Sequence, residues 1–229
     1  MTFATRPHWL KRALLAPPTK TREAGSRRVL LTFDDGPHPD HTPAVLARLR
    51  AFDVRAAFFL VGNRIAAAPN LPQQLADAGH VVGNHTYSHR RFGWGDIASS
   101  IADVGRCREL LPDATWFRPP FGRLTPGLWL AARRHGLRCV TWTLDSGDWR
   151  CRTAADAAAC AAAVLERVRP GDVILFHDDH RWIGPILDVV LPGLAAQYAS
   201  TICSPPCSGL PMIRPFFGST TQSIVSSAI

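Results

Sequence analysis

Short apolar runs at residues 28–33, 55–61, 80–84, 114–117, 138–144 and 172–176 alternate with Ala-, Leu- and Arg-rich stretches of helical length. This alternation constrains the fold more than any other feature, because strands separated by helices return parallel and bury both faces under those helices. The spacing predicts helices near 42–52, 69–78, 95–110, 125–135, 153–168 and 183–197, each beside a start signal or a breaker. Thr42-Pro43 reads as a cap and first turn, and Thr153 caps an alanine-rich helix that stops before Pro170-Gly171. The expectation is a chain of βα units forming a parallel sheet or barrel.

The chain has 229 residues, of which 46% are hydrophobic, enough for one sizeable core. Its formal charge of +8 suggests a nucleic-acid partner until the charges are located. Arg6, Lys11, Arg12, Lys20, Arg22, Arg27 and Arg28 crowd the first 28 residues against Glu23 alone, whereas residues 29–198 carry 18 basic and 17 acidic side chains. A nearly neutral body argues against a phosphate-binding groove, so no nucleic-acid partner is expected. We therefore divide the chain into a basic arm (1–26), a body (27–198) and an irregular Ser/Thr/Pro-rich tail (199–229). Ala13-Leu14-Leu15-Ala16 is too short for a signal-peptide core and no segment is long enough to span a bilayer. That makes the cytoplasm the default location, with the cell envelope or exterior as the alternative. Cys107, Cys139, Cys151, Cys160, Cys203 and Cys207 show no paired CxxC pattern and read as buried free thiols. Oligomeric state leaves no mark in the sequence.

Polar residues with chemical potential follow the expected strand ends: Asp34-Asp35, His85, Arg118, Asp145 and His177-Asp178. In a parallel βα barrel those ends share one rim, where residues distant in sequence meet. Adjacent carboxylates resist burial unless a cation or proton is supplied, and His85-Thr86-Tyr87-Ser88-His89 offers two imidazoles that converge if the backbone turns helically. Asp35, His85 and His89 thus make a three-ligand divalent site with an open position, as catalytic zinc sites have; cobalt or nickel are alternatives. Asp34 is placed to take a proton from water and His177 to protonate a leaving group, with Asp145 holding the imidazolium. Arg118 orients Asp34. The prolines of Arg118-Pro119-Pro120-Phe121-Gly122 lack N–H groups, which leaves the Phe121 amide as an oxyanion donor. Trp149 and Leu175 wall an apolar pocket of about acetyl size, and Pro120 joins them as a substrate contact.

Taken singly, Asp-Asp-Gly-Pro reads as a turn, HxxxH as a solvated helix face and Arg-Pro-Pro-Phe-Gly as a loop. Five such signals in one order, each after an expected strand, do not. Together they resemble the polysaccharide deacetylase family, carbohydrate esterases of the nodulation-factor deacetylase type that include chitin and peptidoglycan N-acetylglucosamine deacetylases. The resemblance spans about residues 27–198 and rests on Thr32–Pro37, His85–His89, Arg118–Gly122, Asp145–Trp149 and Leu175–His177. It implies a distorted, incomplete (β/α) barrel with a zinc-like ion on Asp35, His85 and His89. It also implies Asp34 as base, His177 as acid, Arg118 orienting the base, Asp145 tuning the acid, and Trp149 and Leu175 lining the acetyl pocket. Family members usually close with a final strand after the last helix, where this chain has Ile202-Cys203-Ser204-Pro205-Pro206-Cys207, a poor strand. The activity expected is metal-dependent removal of N-acetyl groups from amino sugars of an oligo- or polysaccharide, releasing acetate. The alternatives are O-deacetylation of an acetylxylan-type ester and a non-catalytic glycan-binding role.

Overall fold

The computed structural model describes residues 29–198; the expected arm (1–26), tail (199–229) and Cys203 and Cys207 lie outside the described residues. In chain order the elements are β1 (Leu30–Asp34), α1 (His41–Ala51), β2 (Ala57–Leu60), α2 (Gly62–Ile65), α3 (Leu71–Asp77), β3 (Val81–Asn84) and α4 (Ile97–Leu110). Then come β4 (Trp116–Phe117), α5 (Pro126–Arg134), β5 (Arg138–Cys139), β6 (Leu144–Asp145), α6 (Ala154–Arg167), β7 (Val173–His177) and α7 (Ile183–Gln197). Short 3₁₀ turns lie at Pro120–Gly122 and Asp148–Arg150. The strands form one parallel sheet in the order β5-β4-β3-β2-β1-β7-β6, curled into a half-barrel with helices.

Strand alternation sorts side chains between two layers. Leu31 and Phe33 of β1, with Phe58, Leu60, Ile174 and Phe176, pack against Val45 and Leu49 of α1 and Ile186, Leu187 and Val190 of α7. Phe33 stacks on Phe58 at 4.9 Å and on Phe176 at 5.8 Å between ring centroids. Each such ring contributes roughly 1.5–3 kcal/mol by leaving water. The alternate residues Leu30, Ala57, Phe59 and Val173 join Trp116 and Val140 in the barrel interior. Thr32, Asp34, Leu175 and His177 share that inward phase by the two-residue period, and parallel pairing sets Thr32 beside Leu175 and Asp34 beside His177.

Two expectations from sequence need correction. The run 138–144 is not one strand: β5 and β6 occupy opposite edges of the sheet, and residues 140–143 cross between them. Arg118 causes the break, because its Nε and Nη2 donate to the carbonyls of Val140 (3.1 Å) and Thr141 (3.2 Å). The amide of Thr143 then donates to Val173 at 2.9 Å. The segment thus leaves β4 and joins β7, drawing the two edges together within the described residues. Thr42 is likewise not a cap; it is buried inside α1, its Oγ1 accepting from the His38 amide and donating to Asp178. Thr153 does cap α6, in a reciprocal box with Asp156. Among the described residues no helix is long and apolar enough to cross a membrane.

Candidate active site

Asp35, His85 and His89 offer one ligand atom each within 4.8 Å of one another. The histidines converge without a helix: Thr86 and His89 take left-handed φ values of 67° and 50°. That turn is held by the Asn84 side chain accepting from the Thr86 amide and by Asp103 accepting from Tyr87 and Ser88. Nδ1 of His85 lies 2.7 Å from the Arg118 carbonyl. A carbonyl only accepts, so Nδ1 carries the hydrogen and Nε2 faces Asp35. Oδ1 of Asp35 sits 3.3 Å from Nε2 of His85 and 3.0 Å from Nε2 of His89, yet is buried with no hydrogen-bond partner. A buried acceptor oxygen facing two imidazole nitrogens without a donor fits a divalent cation, and one carboxylate with two imidazoles is a zinc-type set. Burial raises the Asp35 pKa, but His85 and His89 outweigh it and hold the carboxyl well below its usual range. Burial likewise opposes charge on His85, and Asp34 and Asp35 overcome it, raising that pKa.

Asp34, 3% exposed, receives Nη1 of Arg118 at 2.7 Å, and the same nitrogen donates to Thr32 Oγ1 at 2.8 Å. Arg118 is fully buried and also lies over the Phe59 ring at 4.1 Å, so its charge is paired, hydrogen-bonded and stacked. Across the strand pair stands His177. The residue holding its ring is Asp148 rather than Asp145: Nδ1 of His177 lies 2.8 Å from Asp148 Oδ1, and the His177 amide donates to Oδ2 at 2.7 Å. Gly147, left-handed at φ 76°, turns the loop so that Asp148 enters the interior, while Asp145 Oδ1 accepts from the Gly147 amide and stays on the cleft wall. Burial works against the imidazolium, but Asp148 first, then Asp34 and Asp35, push His177 up to about 9.

Asp34, Asp35, His85, His89, Asp145 and His177 open into one cleft of about 600 Å³ lined also by Arg91, Phe121, Trp142, Trp149, Leu175, Asp179 and His180. That volume is in the range of small-molecule sites. Phe121, at φ 57°, lays its half-exposed ring 4.8 Å from His89, and Trp149 is half exposed on the cleft wall. Leu175 lines the floor. Pro120 does not: it is buried within the 3₁₀ turn, and Phe121 is the residue that turn presents.

The polysaccharide deacetylase family model matches residues 21–140, more than half of the chain. The chain belongs to the polysaccharide deacetylase family. A peptidoglycan-N-acetylglucosamine deacetylase of Listeria monocytogenes is 30% identical over 186 residues, covering 79% of this chain and 38% of that protein. The chain thus spans well under half the length of that family relative. A chitooligosaccharide deacetylase of Sinorhizobium fredii is 37% identical over 160 residues, covering 67% of this chain and 73% of the relative. Among solved structures, a family 4 acetyl xylan esterase of Clostridium thermocellum in complex with a cobalt ion superposes with a TM-score of 0.66 at 30% identity, covering 74% of this chain and 84% of that one.

Sequence reasoning missed several members of this family site. His180 places Nε2 3.2 Å from Asp148 Oδ2, so two imidazoles share one buried carboxylate. Trp142 packs against Gly122, where a Cβ would sit 2.6 Å from the indole, and lines the cleft. The His-Asp-Asp-His run at 177–180 was a visible signal for His180; nothing marked Trp142, which reaches the cleft only because the strand splits. The four described cysteines are free, and burial pushes Cys107, Cys139 and Cys160 up to about 12.

Proposed function

We propose that this chain is a metal-dependent hydrolase that removes N-acetyl groups from amino sugars of an oligo- or polysaccharide, of chitin-oligomer or peptidoglycan type, releasing acetate. The observation that carries it is Asp34 and His177 side by side on β1 and β7, flanking the convergence of Asp35, His85 and His89 in one cleft. Asp35, His85 and His89 would hold a divalent ion, zinc first, which would supply Lewis acidity toward the acetamide carbonyl and lower the pKa of water. Asp34, aimed by Arg118, accepts the proton of the attacking water. The Phe121 N–H is the donor we assign to the developing oxyanion. His177, charged through Asp148, protonates the departing amine. Trp149, Leu175 and Trp142 shelter the acetyl methyl from water.

The name of the Clostridium thermocellum neighbour favours a second reading, removal of O-acetyl groups from xylan. An ester needs the same parts and a less demanding acid. The test is acetate release by the purified chain, loaded with zinc or cobalt, from chitin oligomers, peptidoglycan and acetylated xylan, with metal-stripped protein as control. Release from the amides supports the proposal, release from xylan alone transfers it to the esterase, and no release from any substrate removes both.

A further inference from the structure

Asp35 adopts φ 70°, a left-handed conformation that strains a residue with a Cβ. The turn takes the Asp35 and Gly36 carbonyls out of the sheet ladder, and both are received by the stretch just after β2. Nη1 of Arg64 donates to the Asp35 carbonyl at 2.6 Å, and the Val61 amide donates to Gly36 at 2.7 Å. The same stretch grips the histidine turn, with the amides of Gly62 and Asn63 donating to the carbonyls of Thr86 (3.0 Å) and Tyr87 (2.9 Å). Gly62 is required for this approach, since a Cβ there would meet the Tyr87 ring at 2.6 Å. The four-residue helix α2 therefore holds both segments that carry Asp35, His85 and His89.

Arg64 reaches further than the rest of α2. Its Nη1 carries two hydrogens, and besides the Asp35 carbonyl it meets Oδ2 of Asp179 at 2.7 Å. Asp179 lies two residues beyond His177 and lines the cleft. One nitrogen thus ties the loop bearing the carboxylate ligand to the loop bearing the acid. It also occupies a carboxylate that otherwise stands free in the cleft as a competing ligand.

We propose that Arg64 is a positioning residue for the Asp35–His85–His89 centre, fixing the aim of Asp35 and its distance from the acid loop through Asp179. This rests on the reading of Asp35 as a metal ligand. Partners that orient ligands from behind typically contribute 10–100-fold to metal affinity.

The test titrates the metal-stripped full chain with cobalt(II) for the wild type, Arg64→Met, Arg64→Lys and Asp179→Asn, reading the dissociation constant and the visible cobalt spectrum. Arg64→Met loses at least about tenfold in affinity with an altered spectrum, and at saturating cobalt it recovers most of its kcat. Arg64→Lys, with one nitrogen and three hydrogens, falls between, and Asp179→Asn loses less because the bond to the Asp35 carbonyl survives. Wild-type affinity and spectrum in a folded Arg64→Met protein overturn the proposal. If that variant does not fold, wild-type affinity in both Arg64→Lys and Asp179→Asn overturns it equally. A wild type that binds no cobalt overturns it together with the ligand assignment. Cobalt binding without acetate release removes the deacetylase reading and leaves the ranking of the variants to decide on Arg64.

Discussion

In the proposed reaction Asp34 and His177 divide the proton work between two strand ends, and single substitutions separate their roles. Asp34→Asn keeps the shape beside Arg118 and removes the base, so kcat falls by about 10²–10⁴ with bound metal unchanged; metal content measured beside turnover checks both halves. The pH profile tests Asp148. The acid works protonated, so with His177 at about 9 in the metal-free protein the alkaline limb of kcat/KM lies at or below that pH, a bound cation moving it down. Asp148→Asn removes the largest support for the charge and leaves burial opposing it, so the limb moves toward or below the ordinary 6.5 and kcat/KM at pH 8 drops. An unmoved limb would remove Asp148 from this role. The stability contribution of the His177–Asp148 pair follows the same sign: the folded pKa is raised, so it is complete below 6.5 and lost as pH climbs toward 9. The choice between Asp145 and Asp148 was not legible in sequence. Asp145 ends β6 and Asp148 follows three residues on, and the left-handed turn at Gly147 decides which carboxylate faces inward.

At the scale of elements, the helices and most strands were legible from hydrophobic periodicity, since amphipathic faces and breakers are local signals. What failed depended on distant partners. The run 138–144 has the composition of one strand, and only Arg118, brought in at the end of β4, withdraws its middle from the ladder. The four-residue α2 is too short to show a period. The joint between β1 and α1 is similarly dictated from afar: a Cβ on Gly36 would stand 2.4 Å from Oδ1 of Asp178, a fully buried carboxyl that burial pushes up to about 7. Gly36→Ala therefore forces the ligand loop or the acid loop to move. It costs about 1–3 kcal/mol, read as a melting temperature lower by several degrees, together with weaker metal binding. Unchanged melting and metal affinity would show that the loops accommodate the methyl freely.

For the molecule as a whole, Arg118 does two jobs with one guanidinium, pairing with Asp34 and anchoring the segment that joins the sheet's edges. Arg118→Met leaves Asp34 buried without its cation and the Val140 and Thr141 carbonyls without their donor. The expected loss is about 3–5 kcal/mol, measured by denaturant unfolding, and a loss below about 1 kcal/mol would contradict this account of closure. The family resemblance and the rim location were open to sequence reading, because they rest on short motifs at strand ends, whereas the histidines converge through a left-handed turn rather than the helical one expected. How the two edges of the half-barrel are linked was not open to it, because that is a property of the assembled sheet.

The stretch from Val140 to Thr143 is the only covalent span between the two outermost strands of the described sheet. Its contour length acts as a gauge for the mouth of the cleft. One residue added there would let the walls bearing Phe121 and Trp149 spread, and one removed would pinch them, so the width of the cleft is set by the length of a link that also carries Trp142 into it.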